Sequence, residues 1–237
     1  MTNQPHAQPN SSSRRVPLLK VCGITNLGDA RAALDAGADW LGLILVPGSP
    51  RCVSIAEAET WLPALRESHP HTTLVGVFQD ASPEDVKASA QALQLDAVQL
   101  HGHENPLDYA GLALPLIPVL QLKPDLSMAE LQAQAAHTVP LAPVRALLLD
   151  LPKGSGFSSI QAWPNYARLR ELTQDVPCLI AGGLSPENVA SVLNDLTPWG
   201  VDVASGVEKA PGQKDRQRLQ AFGELVKLPA NKPAHLP

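Results

Sequence analysis

The stretch LLKVCGITNLGDARAALDAGADWLGLIL, residues 18–45, holds a complete strand–helix–strand unit. Its two ends, residues 18–22 and 40–45, are short runs that stay apolar over most consecutive positions. That is the pattern of parallel strands covered on both faces, whereas a half-exposed strand alternates apolar with polar. Between the runs, Asn26 suits a helix N-cap, Asp29 puts negative charge into the first turn, and Gly37 suits the helix end. A doubly wound open sheet usually follows its first strand with G-x-G-x-x-G for a dinucleotide. Here the turn opens Cys22-Gly23-Ile24-Thr25, and that motif is absent.

The same alternation continues outward from this unit. Further apolar runs are TLVGVF (73–78), DAVQL (96–100), LPLIPVLQL (114–122), RALLLD (145–150), PCLIA (177–181) and GVDVA (200–204). Helix starts lie between them. Ser54 with Glu57 and Ser127 with Glu130 have capping-box spacing. Ser82-Pro83, Asn105-Pro106 and Ser185-Pro186 put a cap residue before a proline at the first helical position. Trp61, Leu62 and Leu65, then Leu219, Phe222 and Val226, recur at helical spacing. Eight strand–helix units predict an α/β fold, a single-domain (β/α)8 TIM barrel. Its expected extent is residues 17–227. Residues 1–16 read as a flexible polar tail and residues 228–237 as a Pro-rich one.

Composition narrows the function classes. Of 237 residues 44% are hydrophobic and 17% charged, which suits a large buried core and not a disordered chain. A net charge of −5 gives no electrostatic case for nucleic acid as a partner. No apolar run approaches the roughly 18 residues of a membrane span, and the N-terminus lacks the apolar segment of a signal peptide. Cys22, Cys52 and Cys178 are odd in number and contain no C-x-x-C pair. Reduced thiols, a cytoplasmic location and no metal are the expectation.

In a barrel of this kind, residues at the C-terminal ends of the strands share one mouth. Lys20 and Cys22 point the same way along the first strand. A thiol beside an ammonium has a lowered pKa and can act as a base, although Cys22 also reads as a small core filler. Arg51, in the loop after the second strand, can clamp a carboxylate with its planar fork or simply face solvent. His101 ends the fourth run and suits proton exchange, hydrogen bonding to a ligand or a structural contact. Asp150 follows three leucines at the end of the sixth, a place that suits a general acid, with a cap or an ion pair as the alternative. Asp202 reads as a partner either for a sugar hydroxyl or for a nearby lysine. Three small-residue loops can bring backbone N–H groups round a phosphate: Gly154-Ser155-Gly156, Ala181-Gly182-Gly183 and Ala204-Ser205-Gly206. The last two follow strands seven and eight, where such barrels often hold one.

Taken in order, KVCGIT (20–25), VQLHG (98–102), LLLD (147–150), GSG (154–156), GGLSPENV (182–189) and SGVE–PG–KD (205–215) resemble phosphoribosylanthranilate isomerase of tryptophan biosynthesis. The resemblance covers residues 17–227. It implies an Amadori rearrangement of N-(5-phosphoribosyl)anthranilate to the carboxyphenylamino-deoxyribulose phosphate, with no cofactor. It implies Asp150 as general acid, Cys22 as general base, and Arg51 on the anthranilate carboxylate. Lys20, His101 and Asp202 would lie near the substrate. Gly154, Ser155, Gly156, Gly182, Gly183, Ser205 and Gly206 would bind the phosphate. The chain departs from the family pattern at Gly42-Leu43-Ile44-Leu45, in the run 157–163 after GSG, and at Ala204 where a serine is common. A histidine-pathway sugar isomerase would use two carboxylates. Indole-glycerol-phosphate synthase would use buried lysines and an N-terminal helical extension. A non-catalytic phosphosugar sensor has no need of Cys22, Arg51 and Asp150 together. The expected oligomeric state is a monomer or a homodimer.

Overall fold

The computed structural model describes residues 16–122, 145–150 and 176–227, with the single residues 129, 170 and 173. Eight parallel strands close into one barrel in chain order. They are β1 (Leu18–Cys22), β2 (Trp40–Ile44), β3 (Thr73–Phe78), β4 (Ala97–Leu100), β5 (Leu116–Gln121), β6 (Leu147–Asp150), β7 (Cys178–Ala181) and β8 (Gly200–Val203). Each lies within one of the apolar runs read from the sequence. The described helices are α1 (Leu27–Asp35), α2 (Ile55–Glu59), α3 (Leu62–Ser68), α4 (Pro83–Ala92), α5 (Val189–Leu196) and α6 (Arg216–Lys227). After β8, a short 3-10 turn at Ser205–Val207 leads into a small antiparallel hairpin, β9 (Glu208–Ala210) with β10 (Gln213–Lys214).

Alternation along the strands separates two apolar layers. Outward residues such as Leu19, Val21, Leu41, Leu43, Leu147 and Ile180 pack in the large cluster that includes the helices' buried faces. Inward residues Trp40, Val75, Ala97, Ile117, Leu148 and Leu179 form a second cluster inside the barrel. Trp40 begins β2 and Trp199 precedes β8, so both lie toward the strands' N-terminal ends. Their rings meet edge to face with centroids 5.4 Å apart. This packing closes the end of the barrel opposite the mouth.

Strand registration is reinforced by the same carboxylate device twice. Asp39 precedes β2, and its Oδ2 accepts from Leu19 N at 2.7 Å, while its own N–H donates to Leu19 O at 2.8 Å. Asp96 precedes β4 and repeats this with Leu74, at 2.8 and 2.9 Å. In each case a side chain pairs a backbone group that the neighbouring strand starts too late to reach.

Local helix signals act largely as their chemistry dictates. Asn26 Oδ1 accepts from Asp29 N, Ser82 Oγ from Asp85 N, and Ser54 with Glu57 completes both halves of a capping box. Asn105 caps a 3-10 helix at Pro106–Leu112. The start expected at Ser185-Pro186 is displaced, because α5 begins at Val189. Asn188 folds back instead, accepting from Ser185 N at 2.9 Å and donating to Gly183 O at 3.0 Å. Its side chain thus fixes the loop after β7. The Ser127–Glu130 box, both expected tails apart from Val16, and Gly154-Ser155-Gly156 fall outside the described residues.

Candidate functional site

β1 delivers Lys20 and Cys22 to the barrel interior. Register sets Lys20 against Trp40 on one side and Asp202 on the other, and sets Cys22 against Gly42. Lys20 is fully buried, and its Nζ lies 3.0 Å from Asp202 Oδ1. Burial opposes its charge, but Asp202 and Cys22 outweigh that and hold the ammonium pKa above the usual lysine value. Asp202 therefore takes the lysine contact, one of the two readings its sequence position left open.

Gly42 makes room for this pair. A Cβ built there would lie 2.8 Å from Cys22 Sγ and 3.1 Å from Lys20 Nζ. The thiol departs from the sequence expectation. Its burial pushes the pKa up, and the neighbouring Lys20 only partly offsets this. The expectation of a lowered pKa weighed the ammonium alone. Asp202 cancels much of that ammonium's field, and the barrel wall removes the water that would solvate a thiolate.

Asp150 ends β6 on the same inward face as Leu148. It is in register with Gln121 of β5 and Ala181 of β7. Gln121 Nε2 donates to Asp150 Oδ2 at 2.9 Å and stands 3.4 Å from His101 Nε2, which itself lies 3.7 Å from Asp150 Oδ2. His101, Gln121 and Asp150 thus form one polar arc across the ends of β4, β5 and β6. Cys22 and Asp150 face the axis from different arcs of one wall, near the same end. Gln121 was not singled out by sequence. Its signal was available, since it ends LIPVLQ on an inward position.

Arg51 lies in the loop after β2, and its side chain runs across Gly23, where a Cβ would stand 2.9 Å from Arg51 Cδ. Gly23 has φ +76°, so glycine suits this turn both conformationally and sterically. Arg51 does not face solvent freely. Its Nε lies 2.9 and 3.0 Å from the two oxygens of Glu208, and its Nη2 lies 2.7 Å from Oε2. Lys214 Nζ reaches the same carboxylate at 3.0 Å and the carbonyls of Cys22 and Ala204 at 2.6 and 3.1 Å. Glu208 and Lys214 belong to the SGVE–PG–KD stretch, but neither was named as a site residue.

The loops after β7 and β8 are in direct contact. Gly182 and Gly183 have φ of +91° and +67°. A Cβ at Gly206 would sit 1.8 Å from Leu184 O, so any larger residue there would force the loops apart. Arg218 of α6 ties them from behind, with Nε donating to Gly206 O at 2.8 Å and Nη2 to Glu187 at 2.9 Å. The structure thus brings Gly182, Gly183, Ser205 and Gly206 into one region.

A separate groove of about 450 Å³ runs between Thr25, Asp29, Pro50, Lys209 and Gln213 and contains none of the predicted residues. Among the described residues no group of His, Cys, Asp and Glu side chains is arranged to hold a metal ion. No described helix is long and apolar enough to cross a membrane. Cys22, Cys52 and Cys178 are all free.

Residues 19–224 match the family model described as N-(5′-phosphoribosyl)anthranilate (PRA) isomerase. A curated isomerase of that name from Myxococcus xanthus is 40% identical over 211 residues, covering 88% of this chain and 95% of the relative. One from Magnetococcus marinus is 36% identical, covering 88% and 94%. The crystal structure of the Thermotoga maritima enzyme superposes with a TM-score of 0.76 at 29% identity, covering 89% of this chain and 98% of that one. A second structure, of an isomerase in complex with reduced 1-(o-carboxyphenylamino)-1-deoxyribulose 5-phosphate, gives 0.73 at 31% identity, covering 89% and 98%. The chain belongs to the N-(5′-phosphoribosyl)anthranilate isomerase family.

Proposed function

We propose that this barrel converts N-(5′-phosphoribosyl)anthranilate to the carboxyphenylamino-deoxyribulose phosphate by acid–base Amadori chemistry, the third step from chorismate toward tryptophan. The observation that carries the reading is the placement of a thiol and a carboxyl, Cys22 and Asp150, on separate arcs of one barrel mouth, both facing its axis. Asp150 protonates the ribose ring oxygen. The C1′–O bond breaks as the anilino nitrogen donates its lone pair, leaving a protonated imine. Cys22, as thiolate, removes the C2′ proton, and the electron pair moves into the imine to give the enolamine. That species tautomerises to the ketone. The protonated imine accepts the charge, so the residues need supply only proton transfers and a fixed geometry.

The raised pKa of Cys22 fits this order of events. In the free enzyme the thiol is protected by burial. Solvent takes its proton above the ordinary thiol range, and the cation formed on ring opening then stabilises that thiolate until it takes the C2′ proton. Arg51 binds the substrate's aromatic carboxylate, while His101, Lys20 and Asp202 border the reacting carbons. The phosphate binds to the backbone of the loops containing Gly182, Gly183, Ser205 and Gly206, and to Gly154-Ser155-Gly156. The contact of Gly206 with Leu184 supports a shared cradle. The free thiols support a cytoplasmic setting.

The test is steady-state turnover of freshly prepared phosphoribosylanthranilate, with Cys22→Ser and Asp150→Asn alongside. Each variant is expected to lose on the order of 10²–10⁴-fold in kcat. Near-normal turnover in both would overturn the assigned roles. Incubation with a chelator is expected to leave the rate unchanged.

A further inference from the structure

The SGVE–PG–KD stretch contains a buried carboxylate that the acid–base steps above do not use. Glu208 has a side chain only 4% exposed, yet it carries two cationic partners, Arg51 and Lys214. Its Oε1 also faces Gly212 N at 3.4 Å. These partners do not share it equally. Arg51 meets it through the Nε–Nη2 edge, with a near-parallel set of contacts at 2.7–3.0 Å. Lys214 meets Oε1 alone and has the Cys22 and Ala204 carbonyls besides.

A guanidinium presents five N–H donors in a planar fork. Glu208 occupies one edge. Nη1 and the second hydrogen of Nη2 form the other edge, and no partner for Nη1 is found among the described residues. One planar cation can therefore serve two carboxylates at once. A flexible arginine ordered only by its ligand would lose side-chain freedom on binding, which weakens the complex. Here that freedom is already lost in the free protein.

We propose that Glu208 is a positioning residue that fixes Arg51 by one edge of its guanidinium so that the opposite edge receives the substrate's aromatic carboxylate. The proposal rests on the isomerase reading above and deepens it by assigning the origin of carboxylate selectivity. Lys214 neutralises the surplus negative charge when two carboxylates converge on one arginine. It also ties the Glu208 site to the backbone of Cys22, so the carboxylate end of the substrate is registered against the base.

The experiment compares binding of two ligands: reduced carboxyphenylamino-deoxyribulose phosphate, and its phenylamino counterpart without the carboxylate. Titration calorimetry is run on the wild type, Glu208→Gln, Arg51→Ala and the double variant. Glutamine can keep its carbonyl oxygen on Lys214 while presenting –NH2 to Arg51, so it breaks the clamp with little disturbance elsewhere. Glu208→Gln is expected to weaken the carboxylate ligand on the order of tenfold, the scale of one charge-assisted hydrogen bond, and to leave the other ligand unchanged. The double variant is expected to bind no more weakly than Arg51→Ala. Should Glu208→Gln fail to fold, Glu208→Asp carries the same expectation, since it keeps the charge but draws it back by one methylene.

Equal weakening of both ligands, or full additivity in the double variant, would overturn the positioning role. Wild-type protein that binds neither ligand, or binds both alike, would instead overturn the isomerase reading on which it rests.

Discussion

Lys20 and Asp202 are register partners across the β1–β8 seam and close it with a 3.0 Å ion pair whose ammonium has no exposure at all. Removing one member leaves the other charged and buried. Asp202→Asn or Lys20→Met is therefore expected to cost about 3–5 kcal/mol of unfolding free energy. Urea denaturation measures this. Replacing both together, Lys20→Met with Asp202→Leu, is expected to recover much of the loss, because no uncompensated charge remains. Activity should not recover with it, since Lys20 also stands beside Cys22. Recovery of both would reduce the pair to a structural plug.

Cys22 makes a prediction about pH. Burial raises its pKa against the pull of Lys20. In the free enzyme the thiolate forms only above the ordinary thiol range, and kcat/KM reports free-enzyme ionisations. The rising limb of kcat/KM is thus expected above about pH 8.5, the unperturbed thiol value. Thiolate absorbance near 240 nm (wild type minus Cys22→Ser) is expected to follow the same curve. Cys178 does not confuse the signal, because burial pushes it up to about 12. A limb near pH 6 would assign the base elsewhere.

Gly42 separates steric from chemical roles at the same place. A methyl group there would press on Cys22 Sγ at 2.8 Å, on the Cys22 backbone at 3.1 Å and on Lys20 Nζ at 3.1 Å. All three contacts fall on β1, which cannot give way alone. Gly42→Ala is expected to cost about 1–3 kcal/mol of stability, as overpacking does. It should also lower kcat by more than it raises KM, because it moves the base and not the phosphate loops. A stable variant with normal kcat would show that the sulfur has room to spare.

The parts of this design that were legible in sequence are those governed by local periodicity. Each strand falls inside its apolar run, because a strand covered on both faces leaves a continuous apolar signature. Lys20, Cys22 and Asp150 could be placed because period-two alternation and strand ends determine where they point. The Arg51–Glu208 pair could not, since its members are 157 positions apart and meet only once the barrel closes. The same holds for Arg218 against Glu187. The sign of the Cys22 shift was illegible for a related reason. Spacing revealed the neighbouring ammonium, but burial and the Asp202 counter-charge depend on β8. Asn188 shows a third limit: its side chain served a loop where a helix cap was expected at Ser185.

Glu208 should also shape the acid limb of stability. Burial works against its charge, but Arg51 and Lys214 prevail and hold the folded pKa below the ordinary 4.5. A depressed carboxylate contributes stability that is fully present above its unfolded pKa and is lost as pH falls through the folded one. Unfolding free energy is thus expected to decline from about pH 5 downward as Glu208 is protonated and its cations lose their partner. Exposed carboxylates such as Asp80 and Glu187 are also shifted downward, so the wild-type curve alone does not isolate this group. The informative quantity is the difference between wild type and Glu208→Gln, measured by urea denaturation from pH 3 to pH 7. Glutamine has no proton to gain, so the two curves should converge toward the acid end and stay furthest apart near neutrality. Parallel curves across the range would mean that Arg51 and Lys214 do not hold Glu208 ionised, and the clamp would lose its electrostatic basis.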